Sequence, residues 1–233
     1  DPAHEINVVE RNRSDDTFGF GVVFSDATLS HFLGFDPESY ERITGEFAYW
    51  DTIEVRYRNR AIRSSGHGFC GISRMRLLNL LQERAESFGV LIDYETDITD
   101  VEQFRDADVM VGADGVNSLV RETYAGHFKP RIDMRKTKFA WLGTTKTFGP
   151  FTFIFRPNEH GWFYVHAYQY ADNATTWIVE CHEDTWQNAG LDGASEADTI
   201  AYFEHMYRDE LDGHKLLANR SLWRNFPVVT CEH

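Results

Sequence analysis

The sequence has few cysteines and lacks the residue spacings that bind metals. Its three cysteines, Cys70, Cys181 and Cys231, are odd in number and far apart, which argues against a disulfide framework. The ten histidines form no His-x-x-x-His group, and no Cys-x-x-Cys group is present. We therefore expect reduced thiols, a cytoplasmic location and no metal site.

Positive charge and long apolar runs are also scarce. Lysine and arginine total 23 against 37 aspartate and glutamate residues, so the formal net charge is −14. Such an acidic chain is poorly suited to phosphate backbones, which predicts no nucleic-acid partner. No apolar run approaches the roughly 20 residues of a membrane helix, which predicts no membrane partner. Hydrophobic residues at 42% of 233 still suffice for the core of a folded protein.

One stretch lacks acidic residues altogether. Between positions 55 and 82 there is no aspartate or glutamate, but there are six arginines. Residues 53–62 alternate like a strand, which would put Arg56, Arg58 and Arg60 on one face. Arginine binds phosphate groups in a bidentate manner, so this face is a candidate site for a phosphorylated ligand. The alternative is a solvated edge strand that its charge keeps soluble.

The most informative motif runs from residue 108 to 121 and reads DVMVGADGVNSLVR. Its apolar residues 109–111 predict a short strand before a glycine turn, and Asn117 or Ser118 predicts the cap of a following helix. Such a turn forms an anion site, because free backbone N–H groups and the helix dipole favour negative charge. The carboxylate of Asp114 would be repelled by a phosphate, so it suits a sugar hydroxyl or a bridging water. An ordinary strand-to-helix connection is the alternative.

A second motif, at residues 6–12, is a buried-strand pattern that ends in an acid. In dinucleotide-binding folds the acid that closes the second strand hydrogen-bonds a ribose hydroxyl. Glu10 is therefore a candidate for that contact. A solvated strand end is the alternative.

Regular elements are predicted around these motifs. Residues 73–88 predict a helix capped by Ser73, and residues 195–211 predict another that starts with Ser195 and Asp198. Four successive strands are predicted at residues 138–148, 152–156, 162–170 and 175–181. The fold class is therefore α+β or α/β, with αβ elements interleaved with an antiparallel sheet and an active site between two lobes.

The predicted strand at residues 162–170 has two unlike faces. Phe163, Val165 and Ala167 alternate with Trp162, Tyr164, His166, Tyr168 and Tyr170. The second set forms an aromatic wall with polar groups, which suits a flat ring with polar edges. Tyr164, His166 and Tyr168 are therefore candidate substrate-binding residues. The alternative is that this face packs against a helix.

Together these motifs resemble those of the FAD-dependent aromatic hydroxylases, the flavoprotein monooxygenases similar to para-hydroxybenzoate hydroxylase. The Asp-Gly turn carries the likeness most clearly, and Glu10 precedes it in the chain order of that family. Segments 20–26 and 222–226 further resemble the members that act on aromatic acyl-CoA thioesters such as salicylyl-CoA and 2-aminobenzoyl-CoA. Segments 167–168 and 178–181 resemble, more distantly, a member that acts on a tryptophan-derived substrate.

The resemblance implies two lobes. An incomplete Rossmann-like FAD-binding lobe would comprise residues 1–50 and 71–130, and a substrate-binding sheet lobe would comprise residues 51–70 and 131–224. Residues 225–233 would begin the return to the first lobe. The Gly-x-Gly-x-x-Gly turn and the second Gly-Asp motif of the family are absent, so both ends look cut. We expect this stretch alone to bind FAD weakly and to be inactive.

The resemblance also implies the chemistry. The family reduces FAD with NADH or NADPH, forms a C4a-hydroperoxide with O₂ and passes its distal oxygen to an aromatic ring. The cofactor-binding residues would be Glu10, at the adenosine ribose, Arg11, Arg74, Asp114, at the ribityl or pyrophosphate region, and Gly115. Arg121 would order the Asp114 turn rather than touch the ligand. No catalytic side chain is identified, and the substrate would be a small aromatic molecule or its CoA thioester, docked by Arg56, Arg58 and Arg60.

Two other functions stay open. The Asp-Gly motif also occurs in alkene-reducing and epoxidising relatives, although these would want an aliphatic tunnel that the sequence does not indicate. A non-catalytic remnant is the other alternative, because two flavin loops are missing. The oligomeric state is left open as well.

Overall fold

The computed structural model describes residues 3–58, 60–220 and 223–233, so Leu222 of the segment 222–226 lies outside the described residues. The strands are β1 (Asn7–Val9), β2 (Gly21–Ser25), β3 (Ala48–Trp50), β4 (Ile53–Tyr57), β5 (Arg60–Ser64), β6 (Phe69–Ser73), β7 (Leu91–Asp93), β8 (Arg131–Met134), β9 (Thr137–Thr144), β10 (Phe151–Asn158), β11 (Gly161–Ala171), β12 (Ala174–His182), β13 (Leu216–Ala218) and β14 (Pro227–Thr230). The helices are α1 (Asp26–Phe35), α2 (Pro37–Thr44), α3 (Arg74–Ser87), α4 (Leu119–Thr123), α5 (Ala125–Phe128), α6 (Glu183–Asn188), α7 (Glu196–Met206) and α8 (Arg208–Leu211), and Val101–Phe104 is a 3-10 helix. Within the described part of the chain, no helix is long and apolar enough to cross a membrane.

The largest sheet has seven strands in the order β13-β9-β12-β11-β10-β4-β5. Strands β9 to β12 are the four that the sequence predicts in succession, and they pair antiparallel. Among the described pairings of this sheet, β4–β10 alone is parallel. The predicted antiparallel sheet is therefore confirmed.

Helices cover one side of this sheet, which we call the helix face. Helix α7 begins with the predicted cap, because Ser195 and Asp198 form a reciprocal capping box. The ring of Phe203 in α7 lies 5.5 Å from the ring of Phe163 in β11. The predicted helix at 195–211 is interrupted at Tyr207, which separates α7 from α8. Apolar burial between α7 and the sheet forms the main core.

Smaller sheets and helix α3 make up the rest of the fold. Strands β2, β6 and β3 form one sheet, β1 pairs parallel with β7, and β14 pairs antiparallel with β8. Helix α3 has the predicted Ser73 cap, and Gly89 follows its end with a φ of 82°. The division into two lobes at the residues given above stays a prediction.

Residues 53–62 form a hairpin, so the single strand that the alternation predicts is wrong. Strand β4 ends at Tyr57, Arg58 has a φ of 46°, and β5 starts at Arg60, which pairs with Tyr57. Arg56 immediately precedes Tyr57 on β4. Because paired residues share a face and consecutive residues alternate, Arg56 and Arg60 lie on opposite faces. The three arginines therefore do not share a face.

Residues 109–111 do not form the predicted strand. No described strand pairs with them, and the side chains of Val109 and Val111 are 78% and 80% exposed. A strand is stabilised by hydrogen bonds to a neighbouring strand. An apolar run without such a neighbour cannot form one, whatever its pattern.

Candidate active site

A cavity of about 460 Å³ brings together Glu10 and Arg74, two of the predicted cofactor-binding residues. Oε1 of Glu10 accepts hydrogen bonds from the backbone N and the side-chain Nδ2 of Asn12, at 2.7 and 2.6 Å. These bonds fix the carboxylate just beyond β1. Leucines of α3 line the cavity as well, namely Leu77, Leu78 and Leu81. Arg11, Asp114 and Gly115 are not among its lining residues.

Three arginines line this cavity, and Arg74 differs from the other two, because Arg13 pairs with Asp15 and Arg220 pairs with Asp16. Nε of Arg74 donates to Oγ1 of Thr17 at 3.0 Å, and its guanidinium lies 4.4 Å from the centre of the Phe18 ring. Burial lowers the pKa of Arg74 below its ordinary value. The guanidinium forms no ion pair with a described residue. A half-buried cation without a carboxylate partner favours an anionic ligand, so Glu10 and Arg74 fit the ribose and phosphates of a dinucleotide.

Asp114 has a structural role that the sequence does not predict. Its Oδ2 accepts hydrogen bonds from the backbone N of Leu119 at 2.7 Å and of Val120 at 3.3 Å, at the start of α4. Burial alone would raise the pKa of Asp114, but hydrogen bonds from Ser118, Val120 and Leu119 outweigh it and lower that pKa. The predicted cap Ser118 is confirmed as the residue before α4. The ionised carboxylate thus fastens the turn to the short helix.

Two further contacts join the exposed Asp-Gly turn to the residues around α4. Arg121 donates to the carbonyl of Gly115 at 3.4 Å and to that of Val116, so the predicted ordering role of Arg121 is confirmed. A Cβ added to Gly112 would lie 2.8 Å from Cβ of Val120. Only glycine allows the turn to approach the helix this closely.

The side of the large sheet opposite the helix face is only partly covered by other residues. We call it the aromatic face, and it carries Phe151, Phe153 and Phe155 of β10 and Tyr164, His166 and Tyr168 of β11. The predicted alternation along β11 is confirmed, since Phe163, Val165 and Ala167 are all 0% exposed on the helix face. Tyr164 and His166 are half-buried. This face therefore keeps polar groups within reach of a ligand.

Tyr168 differs from the other two substrate candidates, because it is only 3% exposed. Its hydroxyl donates to the carbonyl of Gly21 at 2.9 Å, and its ring stacks on that of Trp50. Burial raises the pKa of Tyr168 to about 12. The structure thus uses Tyr168 to join the small β2-β6-β3 sheet to the large sheet.

The segment that carries Thr17 and Phe18 leads into β2, which packs against the large sheet at Gly21. A Cβ on Gly21 would lie 2.4 Å from Cβ of Tyr170, so only glycine fits there. The adjoining Phe18 ring packs edge-on against the ring of Trp141 in β9, with centres 6.0 Å apart. The surroundings of Arg74 therefore include the segment before β2 and strand β9 of the large sheet.

His166 lies near the middle of the aromatic face. Its ring packs edge-on against Phe153 at 4.9 Å, and its Nδ1 lies 4.0 Å from Oε1 of Glu180 in β12. Burial lowers the pKa of His166, more than the opposing charge of Glu180 raises it, so the imidazole is neutral at pH 7. Glu180 also lines a cavity of about 570 Å³, together with Phe139, Phe226, Arg135 and Lys136. Sequence reasoning missed Glu180, because only the register of β11 on β12 brings it close.

A buried glutamate just before the acid-free stretch forms ion pairs with two arginines of that stretch. Glu54 is 1% exposed, and it accepts hydrogen bonds from Nε of Arg56 at 2.6 Å and of Arg63 at 2.5 Å. Burial alone would raise the pKa of Glu54, but these hydrogen bonds outweigh it and lower that pKa. Arg58 and Arg60 are exposed at the hairpin and form no ion pair with a described residue. The sequence signal for these ion pairs was Glu54 itself, which immediately precedes the acid-free stretch.

No family model matches the chain. The chain is 42% identical over 233 residues to a salicyloyl-CoA 5-hydroxylase of a Streptomyces species, which covers 97% of this chain and 45% of that protein. It is 32% identical over 236 residues to a protodeoxyviolaceinate monooxygenase of Chromobacterium violaceum, which covers 98% of this chain and 62% of that protein. The chain thus spans about half the length of these curated relatives.

Solved structures share the fold. A tetrameric form of 2-methyl-3-hydroxypyridine-5-carboxylic acid oxygenase has a TM-score of 0.74 at 16% identity, over 98% of this chain and 65% of that chain. A probable FAD-dependent monooxygenase from Pseudomonas aeruginosa has a TM-score of 0.60 at 14% identity, over 97% of this chain and 67% of that chain. These likenesses confirm the predicted fold class. In sequence this chain is similar to curated monooxygenases, and in fold it is similar to these solved oxygenases.

Proposed function

We propose that this protein hydroxylates the ring of an aromatic acyl-CoA thioester such as salicylyl-CoA, with FAD, O₂ and either NADH or NADPH. The observation that carries the proposal is the aromatic face, where Tyr164 and a neutral His166 stay accessible while the helix face is closed. A flat ring with polar edges matches such a surface. The relative named salicyloyl-CoA 5-hydroxylase, at 42% identity, supports this substrate class.

We assign FAD to the cavity of Glu10 and Arg74. Glu10 would bind the adenosine ribose, and the Arg74 cation would bind the pyrophosphate. The turn of Asp114 and Gly115 would adjoin the ribityl chain, with Arg11 near the adenosine half. The flavin, when bound and reduced, supplies the activated oxygen. The side chains of the chain itself hold the substrate ring, exclude water and manage the protons of the substrate.

We assign the CoA phosphates to the hairpin of β4 and β5. A polyanionic ligand that approaches a protein of net charge −14 needs a local positive surface. Arg58 and Arg60 are exposed there, and Arg60 extends on the same side of the sheet as the aromatic face. Arg56 would contribute less, because Glu54 already pairs with it.

A second candidate is a flavin monooxygenase of the same family that acts on another aromatic compound, such as a tryptophan-derived one. The relative named protodeoxyviolaceinate monooxygenase, at 32% identity, favours it. The two candidates share the flavin cavity and differ in the ligand of the aromatic face and the hairpin.

The test is an oxygen-labelling experiment on the full-length protein. Purified enzyme receives ¹⁸O₂, NADH or NADPH, and in parallel salicylyl-CoA, free salicylate or a tryptophan-derived indole. We expect one ¹⁸O atom in the ring of the thioester product and little labelled product from the other two. Oxidation of the nicotinamide without label in any product would contradict oxygen transfer. Equal labelling of free salicylate would contradict the thioester assignment alone.

A further inference from the structure

His166 and Glu180 form a pair that the assignment of substrate contacts does not explain. The two side chains come from neighbouring strands, β11 and β12, and Nδ1 of the imidazole is 4.0 Å from the carboxylate. One bridging water or a small rotation closes that distance to a hydrogen bond. A carboxylate on this side leaves Nε2, the other ring nitrogen, to accept a proton from a ligand.

The surroundings of His166 are otherwise apolar or neutral. Strand β10 presents the Phe153 ring, β12 presents Glu180 and half-buried Ile178, and Tyr164 and Tyr168 flank it along β11. Glu180 is thus the charged group that faces it. Glu180 also lines the 570 Å³ cavity, so its side chain adjoins both His166 and that cavity.

We propose that His166 accepts the proton of the ring hydroxyl of the substrate, and that Glu180 is the residue that positions and stabilises the imidazolium. In this step the substrate O–H bond breaks, its electron pair stays on the oxygen, and the proton joins Nε2. The proton on Nδ1 can then pass to Glu180 and to solvent in the cavity. The resulting phenolate donates electrons to the ring carbon para to it, which makes that carbon a better nucleophile. This inference rests on the proposed function, because it requires a hydroxylated aromatic substrate.

The burial of His166 fits the role of a proton acceptor. A neutral imidazole at pH 7 is able to accept a proton, and burial lowers the pKa of His166 in the required direction. The phenolate that forms beside it then raises the affinity of the imidazole for the proton. The transfer is therefore assisted by the charges that it creates.

The chain offers a matched control pair in the turn between β10 and β11. Nε2 of His160 lies 3.5 Å from Oε1 of Glu159, whose side chain is 79% exposed. The variants His160→Gln and Glu159→Gln make the same chemical changes as His166→Gln and Glu180→Gln, but away from the aromatic face. They separate a local effect from a change in overall charge.

The experiment measures the ionisation of a bound ligand, without turnover. The probe is 5-fluorosalicylyl-CoA, mixed with the full-length FAD-loaded protein in the absence of a nicotinamide. The ¹⁹F chemical shift of the bound probe is recorded against pH, because fluorine para to the hydroxyl reports its ionisation. We expect the midpoint to rise by at least one pH unit in His166→Gln, to rise by less in Glu180→Gln, and to stay unchanged in both control variants.

The sign of the Glu180→Gln shift is decisive. If Glu180 acted on the phenol only as a nearby negative charge, its removal would lower the midpoint. A lower midpoint in Glu180→Gln, or an unchanged one in His166→Gln, would overturn the inference and leave the proposed substrate intact. If His166→Gln does not fold or does not bind the probe, the same titration of His166→Asn replaces it. The midpoints of His166→Asn and Glu180→Gln then test the inference. A wild-type protein that does not bind the probe would overturn the substrate class and this inference together.

Discussion

The two faces of the seven-stranded sheet use the same strands but are completed in different ways. On the helix face, Val165 and Val179 are 0% exposed, and Arg156 donates to the carbonyl of Met206 and pairs with Glu210. On the aromatic face, Tyr164, His166 and Glu180 are all half-buried. Apolar groups are enclosed and charges are paired on the first face, whereas the second keeps accessible polar groups.

This difference separates stability from binding. Close packing makes the helix face sensitive to any loss of volume. Packing on the aromatic face contributes less to the free energy of unfolding. The polar groups of this face instead contribute to the binding of a ligand that covers them. Substitutions on the two faces should therefore affect different measurements.

The largest effect is expected for Phe203→Ala in α7. Phe203 is 0% exposed between the rings of Phe163 and Tyr207, so its loss leaves a cavity and should lower the free energy of unfolding by about 3–5 kcal/mol. Phe153→Ala makes the same change on the aromatic face and should cost less than half as much. Urea denaturation of the two variants measures both values. Equal losses would remove the distinction between the faces.

Glu54 extends the comparison to charge. Its register with Thr152 places it on the helix-face side, so Glu54→Gln should lower the free energy of unfolding at pH 7 by about 1.5–3 kcal/mol. Because its folded pKa lies below the ordinary 4.5, this stabilisation is complete above pH 4.5 and fades as pH falls through the folded pKa. Denaturation at a series of pH values checks this. A difference between wild type and variant that grows towards low pH would contradict it.

Arg74 tests the cofactor side of the account. Arg74→Ala removes a charge-assisted contact worth about 1.5–3 kcal/mol, so the dissociation constant of FAD should rise about tenfold or more. Arg76→Ala is the control, because Arg76 lies on the same helix and pairs with Glu46 instead. Titration of the full-length apoprotein by flavin fluorescence measures both. Similar affinities for the two variants would end the assignment of Arg74.

The hairpin arginines should give a smaller effect. Arg58→Ala or Arg60→Ala should raise KM for salicylyl-CoA about tenfold and spare kcat, since a phosphate contact is the same in the ground and transition states. Arg208→Ala removes an exposed arginine on α8 and should change neither constant. The measurement is steady-state kinetics of the full-length enzyme. An unchanged KM in both hairpin variants would return Arg58 and Arg60 to the role of solvated edge residues.

The parts of this structure that follow from local sequence were predictable. Ser73 and Ser195 cap their helices because a cap needs only residues within one turn. The two faces of residues 162–170 follow from the alternation of a strand. The fold class was predictable for the same reason, since four successive strands each carry their own pattern.

The rest depends on contacts between distant residues. The turn at Arg58 splits an alternating segment without a glycine or proline to mark it, so no local pattern shows it. The approach of Glu180 to His166 depends on the register of two strands. Residues 109–111 have the composition of a strand but lack a described neighbour to pair with. In each case the deciding interaction lies outside the window in which a sequence pattern is read.

The most direct test compares two isoleucines on opposite faces of the same sheet. Ile154 points to the helix face and is 2% exposed, whereas Ile178 is half-buried beside His166 on the aromatic face. In the full-length protein with ¹³C-labelled isoleucine methyl groups, Ile154→Val and Ile178→Val assign the two signals. Ring currents from bound salicylyl-CoA should shift the Ile178 methyl signal and leave that of Ile154 in place. A shift of Ile154 with Ile178 unmoved would contradict the claim that the aromatic face binds the substrate.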